Sequence, residues 1–382
     1  MIRCISKVFI SFILYSYFYT TFKIIPSLQK SSLKELRVYH FDCGQKYFSI
    51  KEIKDIIDLL MVNKYNYFEL AIGNGGLRLL LDSMEIKGLG KKYESNEVKK
   101  AINYGNKKFY DCGEKNELTQ KEMDEIIDYG RKKRIEIIPL LNFPGHMDAL
   151  LKAMELLIGN DCAFKGSNRT IDILNKSAIG FVKKLIELYI NYFDSKDIQY
   201  FNIGCNGYTN DLDNKGFKYL VESERYGYLI KYINEIVEML ELRDMTAIAF
   251  NGLFYYNNIK NAKINNKIIE FKKTIIISYW FGGNGKLHYA SARTLSKAGF
   301  KILNTNRRWY YILGRNLDEF ALKNQKYYIV DGAGIIPIVG AMVCAWTDQP
   351  WIKYEGKEIE NIKKQIRYFA GANSYDKIDF KF

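Results

Sequence analysis

Histidine is nearly missing from this chain: His40, His146 and His288 are the only three in 382 residues, and proline occurs just five times. Three scattered imidazoles cannot build a multi-histidine metal centre. The six cysteines, Cys4, Cys43, Cys112, Cys162, Cys205 and Cys344, lack the paired CxxC spacing of a zinc site. No metal is therefore expected, and Cys43, Cys205 and Cys344, in or just after apolar runs, read as buried thiols; a disulfide stays open. Long basic runs are also missing. The net charge of +14 is spread over every segment, and the longest cluster, Arg131, Lys132, Lys133 and Arg134, closes a helical pattern, where cations complement the helix dipole. Nucleic acid is excluded as the expected partner.

The first 25 residues stand apart. Arg3 and Lys7 precede an apolar run over residues 8–22, which has the length and flanks of a secretory signal but is short for a full membrane span. No small-residue cleavage site follows it, so residues 1–25 read as a signal peptide or as an uncleaved signal anchor. A disordered or core-packed tail is the third reading. Both export readings place the remainder outside the cell, secreted or on the cell surface, with membrane contact only through this segment. Residues 26–36 read as a linker and residues 37–382 as one domain.

From residue 37 onward, short β-branched or aromatic runs alternate with amphipathic stretches of helical period, the pattern of βαβ units. Eight runs occur, at 37–41, 65–72, 135–142, 198–204, 246–251, 274–280, 301–304 and 339–346. Helical patterns at 50–62, 120–133, 178–193, 226–242, 289–299 and 358–370 separate or follow them. Eight strand-helix repeats predict an α/β fold, a (β/α)8 TIM barrel. Two connections, 83–117 and 317–336, read as long loops on the carboxyl-terminal face, where binding loops grow.

In such a barrel the strand ends supply the site. Here they carry Asp42, Asn74, Asn142 with Pro144, Gly145 and His146, Asn206, Asn251, Trp280, Asn304 with Asn306, Trp309, Tyr310 and Tyr311, and Trp346 with Asp348. The set is rich in amides and aromatics and poor in acids. Aromatic faces pack on the C–H faces of pyranose rings while amides and carboxylates bond hydroxyls, so a sugar is the ligand class these residues fit. A single tryptophan would more simply fill the barrel top, but all four, with Trp351, fall at or just after late strands.

Several segments, in order, resemble the catalytic module of glycoside hydrolase family 20, the β-N-acetylhexosaminidases, most of all exported streptococcal-type enzymes. They are Val38-Tyr39-His40-Phe41-Asp42 through Ser49; Gly73-Asn74-Gly75-Gly76-Leu77-Arg78; Phe143-Pro144-Gly145-His146-Met147-Asp148-Ala149; Phe201-Asn202-Ile203-Gly204; Ile302-Leu303-Asn304-Thr305-Asn306 with Trp309 through Asn316; and Ala345-Trp346-Thr347-Asp348. The resemblance implies a cofactor-free, substrate-assisted reaction in which the sugar's own 2-acetamido oxygen attacks the anomeric carbon. An Asp would orient that group and the adjacent Glu would protonate the leaving oxygen.

At those two positions the chain has Asn206 and Gly207. Asn206 retains a hydrogen-bonding side chain; Gly207 has no proton to give. Gln45 stands where the family pattern has an Arg that grips sugar hydroxyls, and Gly75, Gly252 and Arg307 stand where acids are expected. Trp280 and Trp346 match the tryptophans that wall the sugar, Tyr310 or Tyr311 a hydroxyl donor to the acetamido oxygen, and Asp348 a carboxylate that holds hydroxyls. His146 matches a polar residue near the site or serves as a loop-stabilising histidine. Glu69 lies inside the second strand, far from the expected leaving group, and Asp211 is a poor substitute acid. The expected function is recognition of terminal N-acetylhexosamine glycans with hydrolysis absent or very slow. The alternatives are an active enzyme with another proton donor, and an interaction protein without a sugar site.

Overall fold

The computed structural model describes residues 35–371, apart from 89, 160–161, 207, 209, 213–214, 224, 255–266, 281–289, 325–327 and 331–333. The expected leader, Gly207 and His288 lie outside the described residues.

Eight strands form the barrel: β1 (Leu36–Asp42), β2 (Tyr67–Asn74), β3 (Glu136–Phe143), β4 (Tyr200–Gly204), β5 (Thr246–Phe250), β6 (Ile276–Tyr279), β7 (Lys301–Asn304) and β8 (Gly340–Trp346). Neighbours in sequence pair in parallel throughout, and β1 pairs with both β2 and β8, which closes the ring. This is the (β/α)8 barrel that the alternating pattern predicts. Around it lie α1 (Ile50–Val62), α2 (Ser95–Phe109), α3 (Gln120–Lys132), α4 (Asp148–Leu157), α5 (Lys176–Asp194), α6 (Tyr226–Glu241), α7 (Ala292–Lys297) and α8 (Lys357–Gly371).

Local chemistry fixes several starts. Ser49 and Glu52 form a reciprocal capping box at α1, and Thr119 and Glu122 do the same at α3, satisfying amide groups that a helix end leaves bare. The connection 83–117, read as a loop, contains α2, whose buried Val98, Ala101 and Ile102 pack it against α4 and the β2 end. Its lysine and asparagine content hid that apolar stripe. The connection 317–336 likewise holds a short helix, Glu319–Lys323, and a small antiparallel pair, Ile329–Val330 with Ile335–Ile336.

The core has two layers. Leu36 and Val38 face the barrel interior with Leu140, Ile248, Leu303 and Met342, whereas Tyr39 and Phe41 of the same strand face the helices. This is the period-two alternation of a strand. Each fully buried side chain of this size contributes about 1.5–3 kcal/mol. Cys43, Cys205 and Cys344 are buried thiols, and neither they nor Cys112 nor Cys162 is in a disulfide. No helix among the described residues is long and apolar enough to cross a membrane.

Candidate active site at the barrel mouth

The carboxyl ends of the strands are tied together by side-chain amides. Asp42 closes β1; its Oδ2 accepts from Gln45 Nε2 at 2.9 Å and from Asn74 Nδ2 at 3.0 Å, and its Oδ1 accepts from Gly44 N at 3.0 Å. Asn74 Oδ1 in turn accepts from Asn142 Nδ2 at 3.1 Å, and Asn142 Oδ1 from the Asn206 backbone N at 3.5 Å. Gln45 Nε2 also donates to Asp348 Oδ1 at 3.0 Å. The chain Asp348, Gln45, Asp42, Asn74, Asn142, Asn206 therefore runs along the rim across β8, β1, β2, β3 and β4. Five of the residues that sequence analysis assigned to the mouth are joined here, with Gln45.

Gln45 sits where it does because Arg78, fully buried, clamps the loop beneath it. The guanidinium donates to the carbonyls of Gly44 at 3.2 Å, Tyr110 at 2.8 Å and Asn116 at 3.1 Å. A planar fork met by several carbonyl acceptors lets such a charge tolerate burial.

At the end of β4 the backbone turns sharply through two left-handed residues, Gly204 at φ 76° and Cys205 at φ 61°. A Cβ on Gly204 would lie 2.1 Å from Asn142 Oδ1, so glycine is required for the rim chain to pass. Asn206 follows that turn, and the His146 side chain hydrogen-bonds its backbone. Burial, then the nearby Arg169, lowers the His146 pKa from 6.5 to about 4 against the pull of that bond, so the ring is neutral at pH 7. The backbone of His146 is itself left-handed (φ 54°), and its carbonyl accepts from Gly75 N at 2.6 Å.

The described acids near this turn are held to different degrees. Asp211 accepts from Ser167 Oγ at 2.8 Å and Asn168 N at 3.3 Å, whereas Asp148 gives only its Oδ1 to Arg169, at 3.5 Å, and its Oδ2 is buried without a partner among the described residues. Glu69 is fully buried inside the barrel, with Oε1 2.7 Å from His40 Nδ1 and Oε2 accepting from Asn202 Nδ2 at 2.8 Å. Asn202 Oδ1 then accepts from Gly204 N at 2.8 Å. Sequence reading assigned no role to His40, Asn202, Arg78 or Arg169. Asn202 carried a signal, since it is the lone polar residue in an otherwise apolar strand.

Opposite, Trp346 is buried with its ring 4.3 Å from that of His40 and 5.7 Å from that of Tyr310. Trp280 packs on the same interior cluster, and its backbone N donates to Asn251 Oδ1 at 3.0 Å. The structure thus distinguishes the two tyrosines. Tyr310 lines the inner wall and engages the Cys344 thiol, and burial pushes its phenol well up. Tyr311 points away from the mouth, bonding Glu358 and Asn361 of α8. Trp309 also leaves the mouth, buried against Phe369, because its 3-10 turn folds back over the outer core.

One of the positions expected to be acidic has a structural explanation. Gly75 has φ 74°, and a Cβ there would lie 2.4 Å from Phe109 Cζ, so the α2 ring occupies the space a carboxylate would need. Gly252 is buried in a 3-10 turn after β5. Asp348 is open to solvent on one side, yet surrounding protein raises its carboxyl above the usual range, with Gln45 opposing and Asp42 adding to the rise.

A closed parallel barrel whose mouth carries amides, aromatics and one exposed carboxylate is the architecture of a carbohydrate-active barrel. Residues 35–331 match the catalytic domain of glycosyl hydrolase family 20, and the chain belongs to that family. It is similar to the catalytic modules of the pneumococcal exo-β-D-N-acetylglucosaminidase StrH, at 36% identity and a TM-score of 0.83 over 89% of this chain and 83% of that one. Dispersin B shares the fold at 22% identity and a TM-score of 0.65, covering 88% of this chain and 98% of that one. The lacto-N-biosidase of Bifidobacterium bifidum is 23% identical over 274 residues, which is 66% of this chain and 23% of that protein's length.

Proposed function

We propose that this chain is an exported family 20 barrel that binds terminal N-acetylhexosamine of glycans and hydrolyses them very slowly or not at all. The observation that carries this reading is the turn after β4. Asn206 occupies it under the hold of Asn142 and His146, and of the acids nearby Asp211 is engaged by Ser167 and Asn168 and Glu69 by His40 and Asn202, while Asp148 gives its Oδ1 to Arg169. A neutral amide can accept from an acetamido N–H and so orient it. It offsets developing positive charge less well than a carboxylate. Gly207 supplies no general acid, a contribution on the order of a hundredfold to ten-thousandfold in rate.

In this reading Trp280 and Trp346 wall the sugar, Tyr310 donates to the acetamido oxygen, and Asp348 with Gln45 meets ring hydroxyls. The apolar leader supports export, to the medium or the cell surface. The test is a chromogenic N-acetylglucosaminide assay on the purified chain, beside calorimetric titration with N-acetylglucosamine. Saturable binding that Trp280→Ala abolishes, with little turnover, is expected. Turnover like that of ordinary glycosidases would mean that another group donates the proton. No binding at all would leave an interaction protein.

A further inference from the structure

Positive charge that is scattered along the chain is gathered by the fold on the face opposite the mouth. That face consists of the strand starts and the turns leading into them. These segments, residues 35–37, 62–66, 131–136, 194–199, 241–246, 271–275, 297–301 and 335–339, carry twelve Lys and Arg against six Asp and Glu. The excess is uneven around the ring. The turns into β6, β7, β2 and β3 are positive, those into β8 and β1 carry no net charge, and those into β4 and β5 are negative. Because β1 lies between β8 and β2, the positive turns flank β8 and β1 on both sides and form one arc. Lys133, Lys196 and Lys272 are neutralised by Asp58, Asp124 and Glu241, but Lys64, Lys132, Arg134, Lys297 and Lys301 are exposed and in no ion pair among the described residues. Helix dipoles do not account for this pattern. They favour cations at every helix end, yet α5 and α6 have no basic residue in their last turn, and Lys301 is a strand residue. Exposed apolar side chains accompany the arc: Val62, at the end of α1, is 70% exposed, and Ile335, just ahead of β8, 59%.

We propose that this arc docks on an anionic lipid surface, with Lys64, Lys132, Arg134, Lys297 and Lys301 against the headgroups and Val62 and Ile335 entering the interface, so that the mouth opens away from the membrane. The occupant follows from where the rest of the chain joins. Residues 23–35 connect the apolar run 8–22 to the start of β1, so a leader held in a membrane is tethered to this face, inside the arc. Basic side chains beside a few apolar ones are what a bilayer interface takes up. Each Lys or Arg brought within a Debye length of anionic headgroups strengthens partition roughly fivefold. A nucleic acid would use the charges but leave Val62 and Ile335 in water. The docking face draws on the leader as a membrane signal and is independent of the sugar reading.

The experiment sediments the full chain with vesicles of phosphatidylcholine alone and of phosphatidylcholine mixed with phosphatidylglycerol, at low and at high salt. Binding through the leader is common to both vesicles, so the difference between them reads the basic face. Partition onto the mixed vesicles at low salt is expected to be at least about tenfold stronger, and to fall toward the neutral value at high salt. Lys297→Glu with Lys301→Glu should remove most of that gain, and so should Lys132→Glu with Arg134→Glu on the other side of β1. Lys107→Glu with Lys353→Glu, an equal charge change on exposed residues in α2 and beyond the end of β8, should leave the gain within about threefold. Equal partition onto both vesicles, or a gain that the α2 and β8 pair removes as well, overturns the docking face. Binding to a DNA duplex that matches the mixed vesicles and is lost in the same variants overturns the membrane as its occupant. Neither result bears on the sugar reading, which the calorimetric titration tests.

Discussion

His40 and Glu69 meet at 2.7 Å in the centre of the barrel with both side chains wholly buried. The pair links the two halves of the mouth, since the His40 ring lies on Trp346 while Glu69 continues through Asn202 to the backbone of Gly204. Removing one partner strands the other in a low-dielectric interior. Glu69→Leu is expected to lower unfolding free energy by about 3–5 kcal/mol, and Glu69→Leu with His40→Leu by less than the sum of the singles. Urea denaturation of the three variants checks this, and strict additivity would contradict the coupling.

Restoring both acids, Asn206→Asp with Gly207→Glu, should raise chromogenic hydrolysis by about a hundredfold or more. Single-turnover kinetics on the double variant measure it. An unchanged rate would place the lesion elsewhere in the mouth.

Gln45 donates one amide to two carboxylates, Asp42 and Asp348. Gln45→Leu leaves both short of a donor and should destabilise the fold by about 1–3 kcal/mol. Gln45→Arg offers charged donors at the same place, and tighter N-acetylglucosamine binding by calorimetry is the expected result.

His146 supplies a pH signature. Its folded pKa, about 4, lies below the ordinary 6.5, so the unfolded chain binds the extra proton first as pH falls. Its share of stability is complete above pH 6.5 and is lost progressively down to about pH 4. Partial solvent access of the ring discounts the effect to about 1–3 kcal/mol. Asp148 and Asp348, whose carboxyls are raised, act with the opposite sign and gain stability as pH falls. Comparison isolates the imidazole: His146→Gln should show a shallower loss than the parent between pH 7 and 4.5, read from urea midpoints.

Gly75→Asp, the simplest return of one expected acid, should be destabilising, because its Cβ meets the Phe109 ring. Pairing it with Phe109→Ala should recover part of the loss in thermal melts. Equal melting of parent and Gly75→Asp would show that α2 yields freely.

Strand positions were legible because burial on both faces demands apolar runs, and all eight barrel strands fall on the runs read from the chain. α2 was not, since only a narrow stripe of Val98, Ala101 and Ile102 is buried amid lysine and asparagine. The mouth residues were legible as strand ends. Which of Tyr310 and Tyr311 faces inward was not, because neighbours in sequence point to opposite sides and the register is set by pairing with β8.

By itself the sequence determined the repeating strand-helix order, the apolar run over residues 8–22 and the identity of residues 206 and 207 as Asn and Gly, since composition and spacing are properties of the chain alone. Only the tertiary structure decided that Asp211 and Glu69 are engaged, that Arg78 braces Gln45, that Phe109 fills the space beside Gly75 and that Trp351 is exposed. Hydrogen-bond partners and steric room depend on residues up to hundreds of positions apart, and those meet only when the barrel closes.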